Sequence, residues 1–265
     1  MSTPYGPRPS IPRVPVRIGG AASRLDSRPR AVSPRIELLR RTYALFFAGI
    51  VSAAGGAMAA LYAGTPVMLQ AGAGRTIAMP PVVAFVLQHG ILAIVVYLAA
   101  FFGMRAVRER PGVNGIALLG FTFVSGLFIA PLLFVTMLRG DAGLAMTAHP
   151  VRDAFLLAVG AFGGLTTYAF RSKRDFSFLG GFLTMGLVVL LIATLIGIFV
   201  GGSVFHLAIA SVGVLLFGGF ILYDTSRLLR QDPLPSPIDA AIHLYLDFFN
   251  MFLFLVQILG GGRRE

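Results

Sequence analysis

Two carboxylates stand in or beside long apolar runs near the carboxyl end of the chain. Asp224 lies in FGGFILYDTSRLLRQ (217–231) and Asp247 in AIHLYLDFFNMFLFLVQIL (241–259). A carboxylate in hydrocarbon costs about 2.5–3.5 kcal/mol on insertion scales, so each needs a partner, and the obvious partner for each is the other. Their two runs read as adjacent antiparallel helices joined by a short Pro-rich break, which puts both acids in the same half of a membrane. Asp247 falls about 12 Å into its helix at 1.5 Å per residue. Two carboxylates that meet cannot both ionise cheaply, so they share a proton over a wide pH range. The shared proton makes a charge-assisted hydrogen bond that ties the helices together. Its loss leaves like charges in a low dielectric, which makes the pair a pH-sensitive latch. Together the two acids also offer a hard cation such as Ca²⁺ weak oxygen contacts, too few for storage and better suited to passage.

The surrounding polar residues give this pair a context. His243, Asp247, Asn250 and Gln257 fall at i, i+4, i+7 and i+14, one helical face. A polar stripe on a membrane helix is expected to look inward, which makes the last span central and His243, Asn250, Gln257 and Arg227 a supporting polar lining. A plainer arrangement uses the same residues: Asp224 pairs with Arg227 at i+3, and Asp247 pairs with an arginine at a neighbouring helix end. His243, one turn from Asp247, is placed either to tune it or merely to pack. His89 and His206 read as lone structural histidines. There is no His-Glu-x-x-His motif and no Gly-Lys-Ser/Thr phosphate loop, and a Ser125–His206 dyad is no better than chance. No enzyme activity and no cofactor are expected, and the absence of cysteine excludes disulfides and thiolate metal sites.

The elements that must hold these residues are membrane helices. Of the 265 residues 56% are hydrophobic and only 12% charged, with a mean hydropathy of +0.82. Soluble domains carry about 25% charged residues, so this chain cannot cover a water-facing surface. The pattern predicts an all-α integral membrane protein, a seven-helix bundle over residues 39–262. Its spans lie near 42–63, 80–102, 114–137, 152–171, 177–200, 205–227 and 239–259, each close to the ~20 residues that cross the hydrocarbon. Residues 1–38, with seven prolines and seven arginines, are expected to be a disordered tail. Its basic charge suits anionic lipid; an Arg-rich, acid-poor start also has the character of a transit peptide, although serine is sparse. The net charge of +11 sits in this tail and in short loops, not on a folded basic face, so nucleic acid is not an expected partner. With the amino terminus inside, 17 basic residues fall on the cytoplasmic side and five on the other. That predicts a cytoplasmic tail and an outside carboxyl terminus. Small residues at Ser52/Gly56/Ala60, Gly160/Gly164 and Ala193/Gly197/Gly201 have the spacing of close helix contacts.

Three runs, RSKRDFSFLGGFL (171–183), LLFGGFILYDTSRLL (215–229) and LYLDFFNMFLFLVQIL (244–259), resemble the Bax inhibitor-1 (transmembrane Bax inhibitor motif) family, over roughly residues 40–260. The resemblance implies seven helices with the last at the centre. It also implies a di-aspartyl pH sensor at Asp224 and Asp247 and a pH-dependent Ca²⁺ leak in a bacterial-type inner membrane. Alternatives it leaves open are a non-transporting regulator of a membrane protease or other membrane complex, and a cation/proton exchanger. Bacterial members of the family carry a further acidic residue in span two, where this chain offers only Gln88 and His89, with Arg105 at the end. The Pro/Arg tail is also foreign to the family pattern. Oligomeric state is not readable from the residues.

Overall fold

The computed structural model describes residues 33–71, 75–142, 145–172, 174–200 and 202–261. The expected tail therefore lies almost wholly outside the described residues, as do Arg263 and Arg264. Eight α-helices and one hairpin follow in order: α1 (Pro34–Tyr62), β1 (Val67–Ala71), β2 (Arg75–Met79), α2 (Pro81–Gln88), α3 (Gly90–Ala106), α4 (Val113–Asp141), α5 (Pro150–Arg171), α6 (Gly180–Val200), α7 (Ser203–Arg230) and α8 (Pro237–Gly260). Proline opens α1, α2, α5 and α8, the position where its missing N–H is not needed.

Six of these helices, α1 and α4 to α8, are long and apolar enough to cross a membrane. The expected second span, 80–102, is not one rod. It is the pair α2 and α3, bent by 100° at His89, and counts as a seventh crossing only if taken together. Only Gln88 and His89 interrupt the apolar run before Arg105, so hydropathy averaged over a span reads it as straight. Two further differences concern the amino-terminal half. Helix α1 begins at Pro34, so residues 34–38, expected in the tail, are helical. The loop before α2 folds into the antiparallel hairpin β1–β2, with Val67 opposite Met79.

Packing follows the small residues in one place and not in another. On α1, Gly56 lies so close to α4 that a Cβ there would stand 2.1 Å from the Phe123 carbonyl oxygen, and Gly126 of α4 is equally tight against Ala53. Ser52 donates to the Leu119 carbonyl at 2.8 Å, and Ala60 is fully buried. The Ser52/Gly56/Ala60 stripe is therefore the α1–α4 seam, where backbones meet without side chains between them. Gly160 and Gly164 instead have open space around them; their spacing on α5 marks no contact. Gly197 packs against Phe205, His206 and Ile209 of α7, and Gly201 lies outside the described residues. Helix α8 packs against α1, α4, α5 and α7.

Two polar clips fix the end of α7. In the α5–α6 loop Asp175 accepts from the Ser177 N–H and hydroxyl, each at 2.9 Å, an Asx turn that starts the next helix. The Ser226 hydroxyl of α7 donates to Asp175 at 3.1 Å and accepts from the Phe176 N–H and from Arg230, which also reaches the Ser172 carbonyl at 2.7 Å. On the other flank Arg35 of α1 donates to the Leu229 carbonyl, to the Gln231 carbonyl at 3.3 Å and to the Asp232 carboxylate at 2.9 Å. These satisfy carbonyls that a helix end leaves open.

Two outcomes test this packing. Gly126→Ala puts a methyl 1.9 Å from the Ala53 carbonyl oxygen and is expected to destabilise the bundle by about 1–3 kcal/mol, as overpacking does. Gly164→Ala, with nothing within 4 Å of the added carbon, leaves thermal unfolding in detergent unchanged. The Ser177 N–H, then the Ser177 hydroxyl, hold the Asp175 carboxyl below its ordinary range. A carboxyl so lowered adds stability above about pH 3.9, its ordinary value, and loses it as pH falls through the depressed folded value. Protection of the Phe176 and Ser177 amides against hydrogen exchange, relative to the free peptide at the same pH, is therefore expected to fall in that acid window, and Asp175→Ala to show the lowered protection at neutral pH.

Candidate functional site

Asp224 sits two turns before the end of α7, and Asp247 lies in the first half of α8. The short connection between these antiparallel helices places the acids at the same level, and their carboxyl groups come within hydrogen-bonding reach of each other. Asp247 is only 5% exposed and its Oδ2 has no N–H or O–H donor. No arginine pairs with it among the described residues. Asp224 is different. Its Oδ1 lies 3.7 Å from Arg227 Nη1 and its Oδ2 lies 3.8 Å from His243 Nδ1, distances of ion pairing and not of hydrogen bonding. The Arg227 Nε donates to Gln231 at 3.2 Å, and the guanidinium lies 5.4 Å from the centre of the Tyr223 ring. The structure thus brings Asp224, Asp247, Arg227 and His243 together, and the i+3 pairing coexists with the carboxyl contact.

The polar lining is shorter than the stripe. His243 is half exposed and faces a crevice. Asn250 donates to the Leu246 carbonyl of its own helix at 2.7 Å, and Gln257 is exposed. The inward-facing expectation fails for Gln257, whereas His243 lines the crevice beside Asp224. An amide can satisfy itself on its own helix backbone, so polarity does not force such a residue inside. Ser125 likewise donates to the Phe121 carbonyl of its helix, and His206 packs by Gly197 of α6.

The crevice, of about 290 Å³, opens where the ends of α3 and α7 meet the start of α8. Asp224, Arg227, His243, Asp239, Arg105 and Arg108 are among its walls. Arg108 lies 3.8 Å from Asp239, and Arg105 lies 5.8 Å from the Phe101 ring centre. Deeper than the acids the bundle is closed by aromatic rings. Phe46 of α1 stacks on Phe162 of α5 at 4.5 Å, and Phe248 meets both edge-on at 5.9 and 5.7 Å. Tyr245, 1% exposed, stacks on Phe249 at 5.4 Å. Beyond this plug lies a cleft of about 670 Å³ on the opposite side of the bundle.

Among the described residues no three His, Cys, Asp or Glu side chains converge on a metal position. The two carboxyls are a sparse ligand set for a hard cation. Sequence reasoning missed the aromatic plug, because rings on a membrane helix read as lipid-facing. It also missed Arg35, which the tail's composition assigns to lipid. The Asp175-x-Ser177 turn was the one signal that local spacing offered.

Comparison with known proteins points to one family. Residues 35–264 match the model of the family described as inhibitor of apoptosis-promoting Bax1. A membrane protein of Vibrio cholerae is 35% identical, covering 84% of this chain and 89% of that protein. Bax inhibitor 1 of Schizosaccharomyces pombe is 36% identical over 64% of this chain and 60% of its own length. A Golgi anti-apoptotic protein of vaccinia virus is 38% identical over 61% of this chain and 64% of that protein. With a family match over nearly all of the described residues, the chain belongs to the Bax inhibitor-1 family of membrane proteins.

Proposed function

We propose that this protein is a pH-sensitive passive conduit for Ca²⁺, gated by the Asp224–Asp247 carboxyl pair, with its amino terminus in the cytoplasm of a bacterial-type cell. The observation that carries the reading is the buried Asp247 carboxyl, whose partner is another carboxyl. Ionised carboxylates are acceptors only, so the contact holds the helices together when one proton is shared. Loss of that proton sets like charges against each other at low dielectric. Asp224 then has Arg227 and His243 to turn to, whereas no cation pairs with Asp247 among the described residues. The other charges at the crevice are Arg105, Arg108 and Asp239. The expected result is separation of α7 from α8 as pH rises, so the closed arrangement belongs to the acid side.

The test is Ca²⁺ flux into proteoliposomes between pH 6 and 8. Flux is expected to rise with pH in the native chain. In Asp247→Asn the amide donates to Asp224 at every pH, so flux is expected to stay low and flat. A variant profile that overlays the native one removes the gating role.

A second reading, a regulator of a membrane protease or another membrane complex, draws on one observation. Arg35, where the amino-terminal region enters α1, holds the turn between α7 and α8. A partner that grips this region therefore acts on the same helices. The names of the yeast and viral relatives point to a role in restraining cell death, which suits a regulator as well as a conduit. Deleting residues 1–32 separates the two: a regulator loses its partner in a pull-down, and a conduit still conducts. Cation/proton exchange, which uses the same acids, is distinguished by proton counter-movement seen with a pH dye.

A further inference from the structure

Helices α1 and α5 touch at one end only. On the Asp224 side they are joined by the Phe46–Phe162 stack and by Tyr43, whose ring centre lies 6.2 Å from that of Phe170. Past that point they splay, and the cleft of about 670 Å³ fills the gap, with α4 and α8 as its floor. Its volume is that of a small-molecule site, typically about 300–1,000 Å³.

The dimensions and chemistry of the cleft select its occupant. It runs along α1 from Ile50 to Tyr62, about 18 Å at 1.5 Å per residue, close to the ~15 Å depth of one leaflet's hydrocarbon. The walls are alanine, methionine, leucine, isoleucine and phenylalanine over nearly all of that depth. Apart from Tyr245 at the inner end, the polar residues gather at the mouth: Tyr62, Asp141, His149 and Arg152. Arg152, 65% exposed, lies 3.0 Å from Asp153. His149 precedes α5, whose first turn carries Asp153 and has no side-chain cap. No ion pair is formed by Asp141 among the described residues. A guanidinium and a carboxylate, Arg152 and Asp141, thus both stand at the entrance to an apolar slot. An open apolar slot of this depth in a bilayer is covered by whatever the adjacent leaflet supplies.

We propose that the α1–α5 cleft holds one acyl chain of a phospholipid whose headgroup carries both a phosphate and a primary amine. The phosphate faces Arg152 and His149, and the amine faces Asp141. The chain rests on Phe248 and Phe249, the residues that follow Asp247, and so stops the path on the side away from the crevice. The lipid site stands apart from the gating proposal; only its effect on passage rests on that reading.

The experiment uses the full chain in phosphatidylcholine nanodiscs doped with phosphatidylethanolamine bearing a photoreactive diazirine midway along one acyl chain. Crosslinked peptides are mapped by mass spectrometry, and no flux measurement is involved. Adducts are expected on the cleft wall at Met58, Met137 and Phe155, in excess over lipid-facing Leu191 and Leu195 of α6. Ala57→Phe, which fills the slot, is expected to lower cleft labelling about tenfold. Arg152→Gln with Asp141→Asn, both at the exposed mouth, is expected to lower it several-fold with the thermal transition unchanged, which covers the event that the filled variant does not fold. Equal labelling of cleft and α6 overturns the site. Equal cleft labelling by the phosphatidylcholine analogue overturns the headgroup assignment. Absence of pH-gated flux in the separate proteoliposome test, with cleft labelling intact here, sinks the conduit and leaves the lipid site standing.

Discussion

Among the described residues no cation pairs with the carboxyl of Asp247, and this constraint shapes the structure around it. An ion in hydrocarbon needs a partner, and what α8 finds is Asp224 on α7. That contact requires the two helices to be antiparallel, adjacent and in fixed register. The rest of this end of the bundle supplies those conditions. Pro237 starts α8 sharply after a short turn, Arg35 holds that turn from α1, and the Asp175–Ser226–Arg230 network anchors the end of α7 to the α5–α6 loop. None of these touches the acids, yet each limits how far α7 can slide along α8.

The bundle is also unlike at its two ends. The crevice beside Asp224 is lined by charge, and the cleft beyond the plug is almost wholly apolar. Water does not settle in apolar cavities of this kind, so the two spaces are not joined by a wet path in this conformation. The barrier is a packed set of rings, Phe46, Phe162, Phe248 and Tyr245, and a packed core rearranges between discrete states instead of yielding gradually. Phe248 and Asp247 are consecutive on α8. Any shift of that helix that separates the carboxyls also moves the central ring of the plug.

How much of this was legible in the sequence depends on the range of the interaction. Asp224 and Asp247 stood out because a charged residue in an apolar run is rare on energetic grounds alone. The Ser52/Gly56/Ala60 seam was legible too, since small residues at helical spacing are what close backbone approach demands. Gly160 and Gly164 show the same spacing with nothing against them, because spacing permits a contact without supplying the second helix. The break at His89 lay hidden in a stretch whose average is strongly apolar, with Gln88, His89 and Gly90 its local hints. The Ser226–Asp175 bond joins residues 51 apart, and no local pattern encodes such a pairing. Gln257 was misplaced for a related reason: a helical face is a direction, and what lies in that direction is set by other helices.

The break at His89 also settles what the second expected span brings to the site. Gln88 and His89 stand at the far end of α3 from the crevice, about 24 Å from Arg105 at 1.5 Å per residue. The α3 group that reaches the crevice is Arg105, so a guanidinium occupies the inner mouth where the family resemblance led one to look for help from a carboxylate. Arg105, Arg108 and Arg227 then face Asp239 and the carboxyl pair. Glu109 lies 3.5 Å from Arg108 and adds a second carboxylate beside Asp239. While the pair shares a proton it carries one negative charge, and the three arginines are balanced. In the proposed conduit, then, a single deprotonation acts twice in the same direction. It sets α7 against α8, and it leaves the entrance with a net negative charge that draws a divalent cation.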